Sequence, residues 1–160
     1  NLGTDDGAFN EFVLSENGDI SKITYYGNDN SGSIATKGMI YLQEDVDAVP
    51  ETFKAAGDPV TISTTLQWWN STFSSPYFAV AATYFLGGVS SGSTFVFKYD
   101  TGTRLYSIYL SVTYSTPASP PGVFSSSGTD REFSIYATYT ASGGAEPVIP
   151  HPTLLTMGVG

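Results

Sequence analysis

The sequence predicts an all-β protein: a two-sheet antiparallel sandwich, with jelly-roll topology favoured and an immunoglobulin-like sandwich as the alternative. Three observations carry this. Apolar and polar residues alternate with period two along several runs, the pattern of strands with one face in a core. Glycine and proline, 17 and 9 of them, punctuate those runs together with Ser, Asn and Asp. Charged residues make up only 13% of the chain, so Ser, Thr, Gly and Tyr carry its surface, as in β-rich extracellular or coat proteins.

Taken in order, residues 9–14, 20–26 and 39–43 form the first short strands, each bounded by turn residues. Residues 51–56, after Pro50, predict about a turn and a half of helix serving as a crossover. Residues 60–69 alternate strongly, with Val60, Ile62, Leu66 and Trp68 on one face. Strands over 77–85 and 94–98 follow, and Asp100-Thr101-Gly102 predicts a tight hairpin into the next run. Over 104–115, Tyr106, Ile108, Leu110, Val112 and Tyr114 share a face; over 131–140, Phe133, Ile135, Ala137 and Tyr139 do.

Residues 115–128 and 141–152 read as linker-like because repeated proline bars central-strand pairing. The apolar segment 153–160 reads as a further strand or one exchanged with a neighbouring molecule. The 160 residues suit a single domain. Because the chain opens without Met or a charged-then-apolar leader, Asn1 is expected to follow a cleavage or to be cut from something longer.

Fifteen acids against 6 basic residues give a formal charge of −9, which disfavours direct nucleic-acid binding, since phosphates need Lys and Arg to displace counterions. The absence of cysteine excludes disulfides, thiolate metal sites and thiol catalysis. The longest apolar run, 78–82, is far below the ~20 residues of a membrane-spanning helix.

Four features invite a chemical reading. Residues 88–92, GVSSG, fit the pattern of a hydrolase nucleophile elbow around Ser90, but a β-like run follows where a helix is needed, and the lone His151 sits between prolines. No enzymatic activity is expected. Trp68 and Trp69 fall on opposite faces of one strand, leaving one of them for a partner or ligand; core or interface packing is favoured over a ligand platform. Asn70-Ser71-Thr72 is a glycosylation sequon, meaningful in a secreted protein. Glu44, Asp45, Asp47 and Glu51 gather four carboxylates within eight residues, and such hard oxygen ligands suit Ca²⁺; a solvated acidic turn is the alternative.

The segment KGMIYLQEDVDAVPETFKAAGD resembles the part of jelly-roll coat proteins of small icosahedral positive-strand RNA viruses, tombusvirus-like and nodavirus-like, where a strand ends in an acidic D-x-D turn before a crossover. TFVFKYDTGTRLYSIYLSVTYSTP is similar to the end of the same domain, and TTLQWWNSTFSSP stands where such proteins carry a Trp-bearing strand, so the resemblance spans residues 38–117. It implies an eight-stranded jelly roll that assembles with copies of itself into a shell, and calcium held between subunits at Asp45 and Asp47. The family's third acid falls at Pro50, with Glu51 beside it, and the family's basic RNA-binding arm has no counterpart in this sequence. The expected function is therefore structural self-assembly as a viral coat or surface domain, located in the virion. The alternatives are an extracellular module binding a glycan or receptor, and a filament subunit using donated strands.

Overall fold

The computed structural model describes residues 6–44, 49–92 and 94–142. Among these residues thirteen strands are formed: β1 (Gly7–Val13), β2 (Gly18–Asp29), β3 (Ser33–Leu42), β4 (Thr52–Ala56), β5 (Val60–Ser63), β6 (Gln67–Ala79), β7 (Thr83–Ser90), β8 (Phe95–Phe97), β9 (Tyr99–Asp100), β10 (Tyr106–Leu110), β11 (Val123–Gly128), β12 (Glu132–Phe133) and β13 (Ile135–Ala141). No helix occurs among the described residues. The larger sheet runs β11-β10-β1-β7-β3-β4, with β5 also on β3; the smaller runs β13-β2-β6, with β8 also on β2. Every pairing is antiparallel.

The pairings are nested. β1 pairs β7, β2 pairs β6, and β3 pairs β4 and β5, which is a long two-stranded ribbon folded over on itself. Pairing of β3 with β7 then closes the wrap within the larger sheet. That nesting is consistent with jelly-roll winding, with three nested pairs where an eight-stranded jelly roll has four. Strands β8 to β13 extend the opposite flank, with β10 and β11 beyond β1 in the larger sheet and β13 beside β2 in the smaller.

Between the sheets lies the main core, where Tyr25, Ile23, Ile40, Tyr84, Leu86 and Phe95 are buried. A second cluster, Phe9, Met39, Tyr41, Phe85, Val89, Tyr109 and Val112, sits on the outer face of the larger sheet. Strand alternation puts it there: Ala8 and Leu86 point inward while their neighbours Phe9 and Phe85 point outward. Gly87 makes room for it, since a Cβ there would stand 2.2 Å from the Phe9 ring. The residues after β10 cover this face. Val112 and Tyr114 pack on the outer cluster, Lys37 Nζ donates to the Tyr114 carbonyl at 3.2 Å, and Ser119 Oγ accepts from Phe53 N at 2.7 Å. Part of the segment read as a linker is thus a strap over the larger sheet, and its end forms β11.

Several expectations are corrected. Residues 51–56 extend as β4 rather than turning helically, because Met39 and Ile40 of β3 pair with Ala56 and Ala55. The run 104–115 is not one strand: a bulge at Ile108/Tyr109 and a positive φ of 58° at Ser111 end β10. Tyr106 therefore faces the main core, Leu110 is exposed, and Val112 joins the outer cluster. The run 60–69 breaks into β5 and β6, which belong to different sheets, and 77–85 is divided between β6 and β7. Asp100-Thr101-Gly102 does not close a hairpin, because β9 pairs β12 while β10 pairs β1 and β11. The alternation over 131–140 holds in burial, with Phe133, Ile135, Ala137 and Tyr139 all buried, but the run is divided between β12, paired with β9, and β13, paired with β2.

Candidate functional site

Ser90 lies at the end of β7 and is fully buried. Its hydroxyl donates to the Gly92 carbonyl at 2.6 Å and accepts from Gly92 N at 3.1 Å, so it caps a turn. This is hairpin chemistry, without the exposed strand-to-helix corner of a nucleophile elbow. His151 and segment 153–160 lie outside the described residues, as do Asp45 and Asp47.

Of the acidic cluster, Glu44 and Glu51 can be placed. Glu51 N donates to the Leu42 carbonyl at 3.1 Å, the Glu51 carboxylate accepts from Glu44 N, and Glu44 Oε1 accepts from Thr52 Oγ1 at 2.6 Å. These bonds tie the end of β3 to the start of β4. Among the described residues no three His, Cys, Asp or Glu side chains come together as metal ligands. Burial, with the Glu51 carboxylate as the lesser cause, pushes the Tyr109 phenol up.

Asp29, unlike Glu44 and Glu51, is fully buried. Burial alone would raise Asp29, but bonds from Thr94, the backbone at Ser31 and Gly32, and the Ser31 hydroxyl outweigh it and hold the carboxyl below its ordinary value. It pins the loop after β2 to the start of β8.

The indoles divide as alternation requires. Trp69 packs against the main core and donates Nε1–H to the Gly27 carbonyl at 2.9 Å. Trp68 is 37% exposed on the outer face of the smaller sheet, with the Tyr26 and Tyr136 rings at 5.0 and 5.4 Å. Asn70, one step along β6, is exposed, and its Oδ1 accepts from Thr24 Oγ1 at 2.7 Å.

A further open surface belongs to a segment that the sequence pattern does not mark as a strand. β11, VFSSSG, carries no charged residue and pairs only with β10 among the described strands. Val123 and Phe124 are 62% and 49% exposed, and Leu110 of β10 adjoins them. Beside them runs a groove of about 440 Å³ lined by Pro50, Glu51, Tyr109, Pro120 and Phe124 among others. No sequence signal marks β11: two adjacent apolar residues followed by serines do not alternate, and the prolines before them imitate a linker.

No helix of the described residues is long and apolar enough to cross a membrane. A scan against protein-family models matches none, and searches of curated proteins and of solved structures return no match. The class that the coordinates define is an all-β antiparallel sandwich.

Proposed function

We propose that this domain is a structural subunit that associates with a second copy of itself across β11, so that the larger sheet continues from one molecule into the next. The observation that carries the reading is the outer edge of β11, unpaired among the described residues: six residues without charge or proline, of which Val123 and Phe124 are exposed beside Leu110 of β10. Such an edge presents unpaired backbone groups that another strand satisfies, and proteins that remain monomeric usually block it with Lys, Pro, a bulge or a cover; of these β11 has a one-residue bulge at Ser125 and, among the described residues, none of the others. A second copy suits it better than an unrelated partner, because two β11 strands meeting about a twofold axis satisfy the same groups on both sides. They also meet through residues without charge, although each chain carries −9.

A coat or surface domain of a virion is the setting favoured by the nested winding and by the sequence pattern over residues 38–117. Calcium at Asp45, Asp47 and Glu51 is a second element of the proposal.

Sedimentation of the wild-type chain and of the S125K/S127K double variant tests the reading. Wild type is expected to self-associate with rising concentration, and the lysine variant to stay monomeric with its melting temperature unchanged. A wild type that stays monomeric at high concentration, or a variant that associates equally well, overturns it. The same run with a chelator separates the two elements: association lost to the chelator belongs to the acidic turn, and association lost to the lysines belongs to β11.

A further inference from the structure

The structure assigns a second surface, independent of β11, which we infer to bind a neutral oligosaccharide: the Trp68–Tyr136 wall and the carboxylate-guanidinium floor beside it. Trp68 and Tyr136 line a pocket together with Asp100, Arg104 and Glu132. Asp100 and Glu132 are cross-strand partners on β9 and β12, so the pairing itself brings the two acids together. Arg104 approaches Glu132 at 3.4 Å and lies over the Phe12 ring at 4.5 Å, which fixes the guanidinium in place. On the aromatic side, Tyr26 and Tyr136 hold the Trp68 indole in a tilted cluster, so the exposed part of that ring is presented in a set orientation.

This combination suits a pyranose. Sugars pair an apolar C–H face, which stacks on an indole, with adjacent hydroxyls that need donors and acceptors spaced as a carboxylate and a guanidinium provide them. The cavity between wall and floor is only about 70 Å³, too small to enclose a sugar ring, so the ring lies on the exposed indole and only its hydroxyls reach the polar floor. Two observations narrow the ligand. The acids around the floor outnumber Arg104, which is itself paired to Glu132, so an anionic sugar is repelled and a neutral one is not. A second cavity, about 380 Å³ and reaching to Glu16, shares Arg104 and Phe12 with the first. The surface therefore continues past one ring, and a ligand of several sugar units uses both ends.

The test is isothermal titration calorimetry of the full chain with neutral hexasaccharides built on glucose, xylose, mannose and N-acetylglucosamine, and with a sialylated oligosaccharide, a readout that does not depend on the indole being replaced. At least one neutral hexasaccharide should bind saturably. Trp68→Ala and Glu132→Gln should each weaken that binding by roughly tenfold or more, and Trp68→Tyr should restore part of it. Binding of the sialylated sugar should be weaker. Melting curves of the variants check that they fold. The proposal is overturned if no neutral hexasaccharide binds, if Trp68→Ala binds as well as wild type, or if the acidic sugar binds best. Running the titration in the S125K/S127K background keeps this result separate from self-association, because the affinity should be the same there.

Discussion

The two flanks of the sandwich are built differently. Where β4, β5 and β6 end the sheets, the loop after β4 bridges them: Gly57 N donates to the Gly38 carbonyl, Asp58 N to the Thr72 carbonyl and Ser71 Oγ to the Asp58 carbonyl, at 2.9, 2.7 and 2.9 Å. The β6 edge is further blunted by Pro76, which has no N–H, and by a large register shift opposite Ile20/Lys22, while β4 carries Lys54. The opposite flank also has a clamp. Asn10 of β1 is buried, donating Nδ2–H to the Phe133 carbonyl at 2.6 Å and accepting from Phe133 N at 3.2 Å. Beyond it, however, the larger sheet runs on through β10 to β11, whose far side is paired by no described strand. Among the described residues the edges are blocked on one flank, whereas on the other β11 carries only a one-residue bulge, and that contrast is the reason for locating association at β11.

Breaking the clamp on the open flank should have the largest effect on stability. Asn10→Leu leaves the N–H and C=O of Phe133 buried without partners, at a cost of about 2–4 kcal/mol in chemical denaturation. A loss below the scatter of surface substitutions would mean that the two sheets are held there by ring packing alone, Tyr106 against Phe133 at 5.8 Å.

On the closed flank the effect should be smaller. A Cβ at Gly57 would stand 2.4 Å from Ser71 Oγ and 3.0 Å from its carbonyl oxygen, so Gly57→Val forces the bridging loop off β6. The expected loss is about 1–3 kcal/mol. It should also make the chain prone to new association, since the β6 edge is then uncovered. Unchanged sedimentation in a folded G57V protein would show that the loop is not what guards this edge.

The lysine pair on β11 should have the smallest effect on stability, within about 0.5 kcal/mol, because Ser125 and Ser127 are exposed. Its effect should fall on association alone. Folding and assembly are then separable on the open flank and coupled on the closed one.

How much of this was legible in the sequence follows from how local each feature is. The burial pattern over 131–140 was readable because its alternating apolar residues all meet one core, even though the run is divided between β12 and β13. The run 104–115 misled because its alternation continues through a bulge and a left-handed residue, after which Val112 and Tyr114 serve a different cluster. Residues 51–56 look helical in isolation, and only pairing with β3 makes them a strand. The opposite orientations of Trp68 and Trp69 could be foreseen from period two, whereas the joining of Trp68 to Asp100, Arg104 and Glu132 could not, since it depends on how β6 lies relative to β9, β12 and the residues before β10. β11 stayed hidden for the same reason: its partner, β10, is chosen by the strap that crosses the larger sheet and returns.

The sequence contains no cysteine, so a single introduced thiol reports on one contact without background. Serines 125, 126 and 127, replaced one at a time by cysteine, test the twofold pairing directly under mild oxidation. Antiparallel strands bring residues near the axis within the ~4.4–6.8 Å Cα separation that a disulfide requires. At least one of the three should form a covalent dimer in high yield, while Thr65→Cys, exposed on the closed flank, should not. If all three β11 variants remain monomeric, or if the Thr65 variant cross-links as readily, the outer edge of β11 is not where this protein meets its own copy.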